Sequence, residues 1–495
     1  VINEAVCENC GDCTAQSNCI AIEPVDTDHG RKRRISPTSC NTDLSCLKGF
    51  CPSFVTTTSD APIGAVDHAT VWAAQEAELA AGLLEPALPG AAQPWRGLFA
   101  GIGGGGIVTC GAIVAMAAHL EGRQVSTLDF TGLAQKNGAV VSHVQIADAG
   151  LDVVRIPQRE ADLLLAADMA VGAGADVLGR CKPGAGVVGN LDLQPGSAFI
   201  GQRDLVIDAG LHRRAIGRNT AAARSRFLHG SALSERLFGN AQAMNTLLLG
   251  MAWQMGLVPV GRGALLRAME LNGTAVALNR RAFLWGRILA ANPALADGIM
   301  ADRAPLPATL DALVDRRVAG LTAYGNPKLA SRYRGLVDAA RDRETALAGG
   351  PGALTRAVAE GWFRVLAYKD EYEVARQHAA ASYGEAPVFH MSPPLFSRVD
   401  PATGRRRKVG IPGRLALPLF RLLRHGKALR GTALDPFGWQ HERQVERELI
   451  AEYERDVRHA LDRLRPDTLA AATELAALPM DIRGFGPVKA ASLAA

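Results

Sequence analysis

Seven of the nine cysteines of this chain lie within its first 51 residues. They are Cys7, Cys10, Cys13, Cys19, Cys40, Cys46 and Cys51. The first three follow a Cys-x2-Cys-x2-Cys spacing, and Cys51 is followed directly by Pro52. Structural zinc sites usually pair two Cys-x2-Cys knuckles, which this spacing does not do. Disulfides form in an oxidising compartment, and the sequence shows no signal for export to one. Three close thiolates completed by a distant Cys-Pro predict iron–sulfur ligation instead.

The order of the cysteines predicts two clusters. In two-cluster bacterial ferredoxins, the fourth cysteine of each run binds the other cluster. The first [4Fe-4S] cluster would therefore use Cys7, Cys10, Cys13 and Cys51. The second would use Cys19, Cys40 and Cys46, with Asp43 where the remaining thiolate belongs. A carboxylate is a harder and weaker iron ligand, so we expect a [4Fe-4S] cube with a labile iron or a [3Fe-4S] cluster; the alternative is that this cluster was lost.

A glycine-rich loop is the second chemical signal. An apolar strand at 98–100 leads into 101–106, which match G-x-G-x-x-G, and a helix is predicted over 108–121. A strand at 125–128 ends at Asp129, as in the dinucleotide-binding fingerprint. The amides of Gly101, Gly103 and Gly106 could hold NAD or another anionic group at the helix start. The remaining alternative is that the glycines only permit close packing.

The periodicity around this loop predicts an open α/β sheet. Further strands are expected at 140–146, 162–168 and 187–190, and covering helices at 242–253 and 276–288. Prolines at 86, 89 and 94 mark a linker after a helix at 71–84, and the last third is mostly helical, with a long helix at 442–464. We therefore predict a multidomain α/β chain: a ferredoxin-like module at 1–58, a connector at 59–94, an α/β domain at 95–291 and a helical domain at 292–495.

Composition limits the partners. A net charge of +5 over 495 residues does not favour nucleic acid binding, and the two charge-poor windows are too interrupted to span a membrane, so we expect a cytoplasmic protein. Nine Lys or Arg and no Asp or Glu lie between Pro401 and Leu434. This basic segment is expected to form a solvent-exposed face or to bind acidic neighbours. His143 is read as structural and as a weaker candidate for substrate contact, Cys110 as an inert buried thiol, and Cys181 carries no motif.

Several longer motifs carry a family resemblance. The N-terminal ones are at 7–13 (CENCGDC), 16–19 (QSNC), 30–35 (GRKRRI) and 49–54 (GFCPSF). Those of the α/β domain are at 101–110, 132–138 (GLAQKNG) and 142–144 (SHV), and those of the tail are at 368–376, 429–438 and 482–486. In these motifs the chain resembles indolepyruvate ferredoxin oxidoreductase in its long, fused bacterial form, and its α/β domain is similar to the gamma-type domain of that family.

The resemblance implies a reaction and a set of partners. An aryl 2-oxoacid such as indolepyruvate would be decarboxylated with coenzyme A, and two electrons would pass through iron–sulfur clusters to ferredoxin. Such chemistry needs thiamine diphosphate and magnesium, but the chain lacks the Gly-Asp-Gly motif of that site. We therefore expect the thiamine-binding domains or subunit to precede Val1, so that this chain conducts electrons within a larger enzyme, which is expected to be a homo-oligomer.

Two other functions remain open. The first is an NAD(P)-linked iron–sulfur oxidoreductase that uses the loop at 101–106 together with Asp129. The second is an electron-transfer scaffold without catalysis of its own.

Overall fold

The computed structural model describes residues 1–37, 39–58, 68–132, 138–301, 309–393, 397–401 and 405–494, with the backbone alone at 68–71. The chain divides into two compact units. The first contains residues 1–35, 42–64 and 305–495, and the second contains residues 36–41 and 65–304.

Strands occur mainly in the first half of the chain, and helices dominate the second half. The strands are β1 (Ile22–Thr27), β2 (Gly30–Ile35), β3 (Val55–Thr56), β4 (Trp95–Ile102), β5 (Gln124–Thr131), β6 (Ala139–Ala147), β7 (Ala161–Ala166), β8 (Cys181–Asn190), β9 (Ser225–Leu228), β10 (Val388–Met391) and β11 (Val409–Pro412).

The α-helices are α1 (Asp12–Ser17), α2 (His68–Ala81), α3 (Ile107–Leu120), α4 (Met169–Gly172), α5 (Ala175–Arg180), α6 (Ala198–Gly201), α7 (Ala209–Gly217), α8 (Gly230–Phe238), α9 (Met244–Gln254), α10 (Arg262–Asn272), α11 (Val276–Ala291), α12 (Ala294–Met300), α13 (Leu310–Tyr324), α14 (Pro327–Ala348), α15 (Ala353–Leu366), α16 (Glu371–Ala380), α17 (Gly413–Leu423), α18 (His441–Asp462), α19 (Leu469–Ala477) and α20 (Pro487–Ala494). None of the helices within the described ranges is long and apolar enough to cross a bilayer.

The second unit is built on a mixed sheet with the strand order β5-β6-β4-β7-β8-β9. Strands β4, β7, β8 and β9 are parallel, whereas β6 is antiparallel to both β4 and β5. Side chains alternate along β4 and β7, so Phe99 and Leu163 face a core with α3 and α9–α11, while Leu98 and Leu164 face a core with α4 and α7. Strands that are buried on both faces form near-continuous apolar runs. The observed strands and their order confirm the predicted strands and the open α/β sheet.

Helices α9 and α11 approach each other closely enough for their backbones to touch. A Cβ atom on Gly286 would lie 1.9 Å from the carbonyl oxygen of Leu247, and one on Gly250 would lie 2.1 Å from that of Phe283. Both contacts are shorter than any real Cβ contact, so glycine is required at each position. The apolar core below the sheet depends on this contact, because both helices contribute fully buried side chains to it.

The first unit joins the two ends of the chain. Strands β1 and β2 form an antiparallel hairpin, and Ile2 pairs with Phe54. The short strand β3 then pairs with β10, and β10 pairs with β11, so residues after 387 extend the N-terminal module. Helices α13–α15, α18 and α19 pack around a separate core in which Trp362 stacks on Tyr453 at 5.6 Å between ring centroids. The helical C-terminal part is thus as predicted.

The units differ from the predicted domain boundaries. Segments 1–58 and 292–495 were expected to form separate domains, yet most of both lies in the first unit. Helix α12 belongs to the second unit, where Ile299 is buried in the core. The predicted boundary at 291–292 therefore comes before a helix that still packs in the core of the second unit. The start of the connector, residues 59–67, lies outside the described residues.

Gly286→Ala should destabilise the second unit. The added methyl group must push α9 and α11 apart, and overpacking of this kind costs about 1–3 kcal/mol. Urea unfolding followed by circular dichroism measures the effect. Gly298→Ala is the matched control, because a Cβ there meets nothing within 4 Å and alanine favours the helix by up to about 1 kcal/mol. Equal unfolding midpoints for the two variants would contradict the close helix contact.

Candidate functional site

The segment from Cys7 to Cys13 forms a tight loop before α1. Asn9 and Gly11 have positive φ angles of 51° and 83°, and alternation of this kind turns backbone N–H groups towards a common concavity that suits anionic groups. The N–H of Asn9 donates to Cys7 Sγ at 3.4 Å. The loop therefore presents sulfur atoms together with a backbone donor.

Four of the predicted ligands come together in this loop. Every pair among Cys7, Cys10, Cys13 and Cys51 lies within the range of electrostatic interaction. Burial raises the pKa of Cys10 to about 12, with a further contribution from Cys51, and the pKa values of Cys7 and Cys13 are raised by the same causes. Left without a partner, these thiols would therefore stay protonated at neutral pH.

The four thiols must be judged against two kinds of group, a single metal ion and a polynuclear cluster. Within the described ranges, no three His, Cys, Asp or Glu side chains are placed to hold one metal ion. A polynuclear cluster takes each thiolate on a different iron, so its sulfur ligands stand further apart than those around a single ion. The four thiols could hold a group of that larger kind.

Close packing fixes the loop from the opposite side. A Cβ atom on Gly49 would lie 2.8 Å from the Cα of Cys13, so only glycine fits there. The carboxylate of Asp12 accepts the N–H of Phe50 at 2.7 Å and pairs with Arg405 at 2.8 Å. Ser53 Oγ lies 2.9 Å from Cys51 Sγ. Residues from three parts of the chain thus hold the thiols in place.

Cations surround the thiols. The ammonium groups of Lys32 and Lys369 both donate to the carbonyl oxygen of Cys7, at 2.8 and 3.1 Å. Burial lowers the pKa of Lys32 to about 7, helped by Lys369, and Glu8 opposes this effect. Glu8 itself pairs with Lys369 at 2.6 Å and with Arg364. Positive groups therefore outnumber the one carboxylate at Cys7.

A further lysine interacts with the thiols. Lys408 is half-buried as a residue, but its Nζ atom is buried, has no hydrogen-bond partner among the described residues and lies 4.2 Å from the ring centre of Phe54. Burial lowers the pKa of Lys408, whereas Cys51, Cys46 and Cys13 raise it. The arrangement of thiols and cations suits an anionic group with sulfur ligands.

The residues predicted for a second cluster are arranged differently. Asp43 is exposed, and its Oδ1 accepts the N–H of Ser45 at 3.1 Å and the hydroxyl of Ser45 at 2.9 Å, which lowers the pKa of this carboxyl. Cys19 and Cys46 belong to the first unit and Cys40 to the second. A ligand set made of Cys19, Cys40, Cys46 and Asp43 therefore remains a prediction.

The glycine loop of the second unit is bonded within the protein. The N–H of Gly103 donates to the carbonyl oxygen of Gly138 at 2.7 Å, and Asn245 Nδ2 donates to that of Gly105. Gly104 and Gly106 have φ angles of 83° and 82°, which favour glycine. Gly101 lies against Ile107, since a Cβ there would be 3.2 Å from the Cβ of Ile107. Of the predicted anion-binding amides, that of Gly103 is thus already used.

The strand order departs from the dinucleotide fingerprint. In that fold, the strand that ends in the acid lies beside the strand before the glycine loop. Here β6 lies between β4 and β5, and Asp129 is an exposed residue that pairs with Ser142. The NAD alternative therefore lacks the neighbouring strands that it needs. The predicted motif at 132–138 falls mostly on 133–137, outside the described residues.

A polar cluster at the carboxyl ends of β8 and β9 was missed by the sequence analysis. Asn190 Nδ2 contacts the carbonyl oxygens of Ala167 and Asp192 at 3.2 and 3.0 Å, and its Oδ1 accepts the N–H of Gly230. Asp192 Oδ1 lies 2.7 Å from His229 Nδ1, and this hydrogen bond raises the pKa of His229. Ligands of open α/β sheets bind at this edge. The sequence signal was a polar residue at the end of β8, Asn190, and another directly after β9, His229.

A cavity adjoins this polar cluster. It has a volume of about 220 Å³ and is lined by His229, Leu233, Met251 and Met300 among others. The pair formed by Asp192 and His229 thus lies beside a cavity with apolar lining residues.

The other residues singled out in the sequence have structural surroundings. His143 Nδ1 accepts the N–H of Ile156 at 3.1 Å, and burial lowers the pKa of His143 to about 4. Burial raises the pKa of Cys110 and of Cys181 to about 12. These values support the interpretation of Cys110 as an inert thiol and of His143 as a structural residue.

Family models match two segments of the chain. Residues 96–288 match the family described as pyruvate ferredoxin/flavodoxin oxidoreductase, and residues 310–495 match a family of unknown function, DUF6537. The indolepyruvate oxidoreductase subunit IorB of Archaeoglobus fulgidus is 39% identical over 70 residues, which are 14% of this chain and 34% of that protein. The chain thus spans about a third of the length of this curated relative.

Solved structures of low identity also match. The pyruvate oxidoreductase subunit PORC of Thermotoga maritima has a TM-score of 0.30 and 16% identity, over 39% of this chain and 95% of that one. The gamma subunit of a keto/oxoacid ferredoxin oxidoreductase of Geobacter sulfurreducens has a TM-score of 0.29 and 23% identity, over 40% and 98%. Residues 96–288 are therefore similar in sequence to the pyruvate ferredoxin/flavodoxin oxidoreductase family.

Asp192→Asn should lower the pKa of His229 towards its ordinary value near 6.5. The carboxylate favours the charged imidazole, so the pair stabilises the fold below the pKa of the unfolded chain and loses this effect as pH rises through the higher folded value. The variant should therefore be more destabilised at pH 5.5 than at pH 8. NMR titration of the imidazole signals measures the pKa, with His143 as the internal control. An unshifted His229 titration would rule out the pair.

Proposed function

We propose that this chain is the electron-transfer and gamma-type portion of an indolepyruvate (aryl 2-oxoacid) ferredoxin oxidoreductase. The observation that carries the proposal is the group of four thiols, two buried and two half-buried, that interact electrostatically in a chain whose α/β segment matches the pyruvate ferredoxin/flavodoxin oxidoreductase family. Oxidation of a 2-oxoacid releases two electrons, and a chain of this kind would pass them on to ferredoxin.

In this proposal, Cys7, Cys10, Cys13 and Cys51 hold a [4Fe-4S] cluster. The donor set fits, because four thiolates complete such a cluster, the N–H of Asn9 already points at one sulfur, and lysines lie beside the thiols. A bound cluster supplies one-electron transfer. The protein would hold the four sulfurs around the cluster, shield them in part from water and offset their negative charge with lysines.

A second cluster and several partners belong to the same proposal. Cys19, Cys40, Cys46 and Asp43 would hold a [4Fe-4S] or [3Fe-4S] cluster. Thiamine diphosphate and magnesium would bind to other domains or a separate subunit of the enzyme, since the sequence has no Gly-Asp-Gly motif. Coenzyme A, an aryl 2-oxoacid and ferredoxin would be the reactants of the whole enzyme, a cytoplasmic homo-oligomer.

The full chain, prepared without oxygen, should be brown and contain four irons for the first cluster, as the ligand count requires. Cys51→Ser should remove these irons, because serine offers no soft thiolate. Iron analysis and visible absorption measure the loss. Cys181→Ser is the control, since Cys181 is a buried thiol of the second unit. Full iron in the Cys51 variant would contradict the ligand set, and no iron in the parent chain would contradict the proposal itself.

Asp43→Cys should increase the iron content or the oxygen tolerance of the second cluster. A thiolate binds iron more tightly than a carboxylate, and Asp43 is the one non-cysteine position in the second run. Electron paramagnetic resonance before and after mild oxidation separates three-iron from four-iron signals. Asp43→Asn controls for loss of the charge. Identical spectra in the parent and in Asp43→Cys would mean that residue 43 does not reach the cluster.

A further inference from the structure

Lys408 is placed beside the thiols by the sheet of the first unit. It directly precedes β11, whose first residue, Val409, pairs with Met391 of β10. Strand β10 also pairs with β3, and His390 donates its N–H to the carbonyl oxygen of Phe54. The backbone of this three-stranded sheet therefore carries Lys408 to the segment that follows Cys51. A nearby ion pair between Arg405 and Asp12 anchors the same stretch.

The ammonium group of Lys408 has an unusual environment. Its Nζ atom is buried, finds no hydrogen-bond partner in the part of the chain that the structure describes, and faces the ring of Phe54. Burial of an unpaired charge is unfavourable. The groups that interact with it electrostatically include the thiols of Cys51, Cys46 and Cys13 and the carboxylate of Asp12, and Asp12 is already engaged with Arg405 and with the N–H of Phe50. The cysteines, once they are thiolates, would therefore be its main counterions.

The other lysines near the thiols differ in this respect. Lys32 and Lys369 donate hydrogen bonds to the carbonyl oxygen of Cys7, and Glu8 lies beside Lys369. Their charges are thus partly offset by groups that are present with or without a cluster. Lys408 has no hydrogen bond of this kind among the described residues, and the carboxylate that interacts with it, Asp12, is paired with Arg405.

We propose that Lys408 raises the reduction potential of the first iron–sulfur cluster by placing a fixed positive charge beside Cys13 and Cys51. This inference rests on the proposed function. Reduction adds one negative charge to the cluster, and a nearby cation stabilises the added charge. The effect is strong because a buried site screens charges less than water does, and the potentials of such clusters depend on surrounding charge, hydrogen bonds and exposure.

The test is a potentiometric titration of the full chain, followed by electron paramagnetic resonance. Lys408→Met should move the midpoint of the first cluster to a more negative potential, whereas Lys408→Arg, which keeps the charge, should stay near the parent value. Lys328→Met is the matched control, since Lys328 is an exposed lysine on α14. An unchanged midpoint in Lys408→Met, at full iron content, would overturn the inference and leave the proposed function standing.

Iron content separates the remaining outcomes. If Lys408→Met and Lys408→Gln lose the first cluster while Lys408→Arg keeps it, the charge acts on the cluster as inferred. Loss of iron in all three variants would show a packing role and overturn the inference. A parent chain without iron would contradict the proposed function first, and this inference with it.

Discussion

The first unit depends on one constraint, the placement of four buried or half-buried thiols within electrostatic range of one another. Sulfur atoms that share such a site cannot all become thiolates unless positive charge lies nearby, because burial and mutual repulsion both favour the protonated form. The N-terminal segment supplies Lys32 for this purpose, but Lys369, Arg364 and Lys408 come from residues more than 300 positions later. The C-terminal part of the chain therefore supplies most of these cations around the N-terminal thiols.

The features that could be predicted from the sequence are those set by local spacing. The cysteine loop, the apolar strands at 98–100 and 162–168, and the long helix at 442–464 all follow from residues within one or two turns of each other. The pairing of β3 with β10 and the position of Lys408 could not be predicted, because they depend on contacts between distant segments. The run of basic residues after Pro401 illustrates this limit, since composition marks the run but does not say that Arg405 pairs with Asp12.

The glycine loop shows how one motif can serve two structures. Both a dinucleotide site and this domain need glycines between a strand and a helix, because Gly104 and Gly106 take positive φ angles. The difference lies in the next strands: a hairpin of β5 and β6 here adds β6 directly to β4 and moves Asp129 to the sheet edge. Three other polar residues do meet: Asn190, Asp192 and His229. They lie at the carboxyl ends of the parallel strands β8 and β9, far from β5 in the strand order.

Asp43 holds the turn before Cys46 through one carboxylate oxygen, so the other oxygen would be left for iron in the proposed second cluster. Both hydrogen bonds from Ser45 reach the Oδ1 atom, so they fix the carboxylate at the start of the short 3-10 helix Ser45–Lys48, which contains Cys46, without using Oδ2. A cysteine at this position would offer a stronger iron ligand but could not accept both of these bonds equally well, because sulfur is a weak acceptor. Aspartate at this position would bind iron more weakly than cysteine but would fix the turn beside Cys46 better. The proposed second site would then differ from the first in having a labile iron.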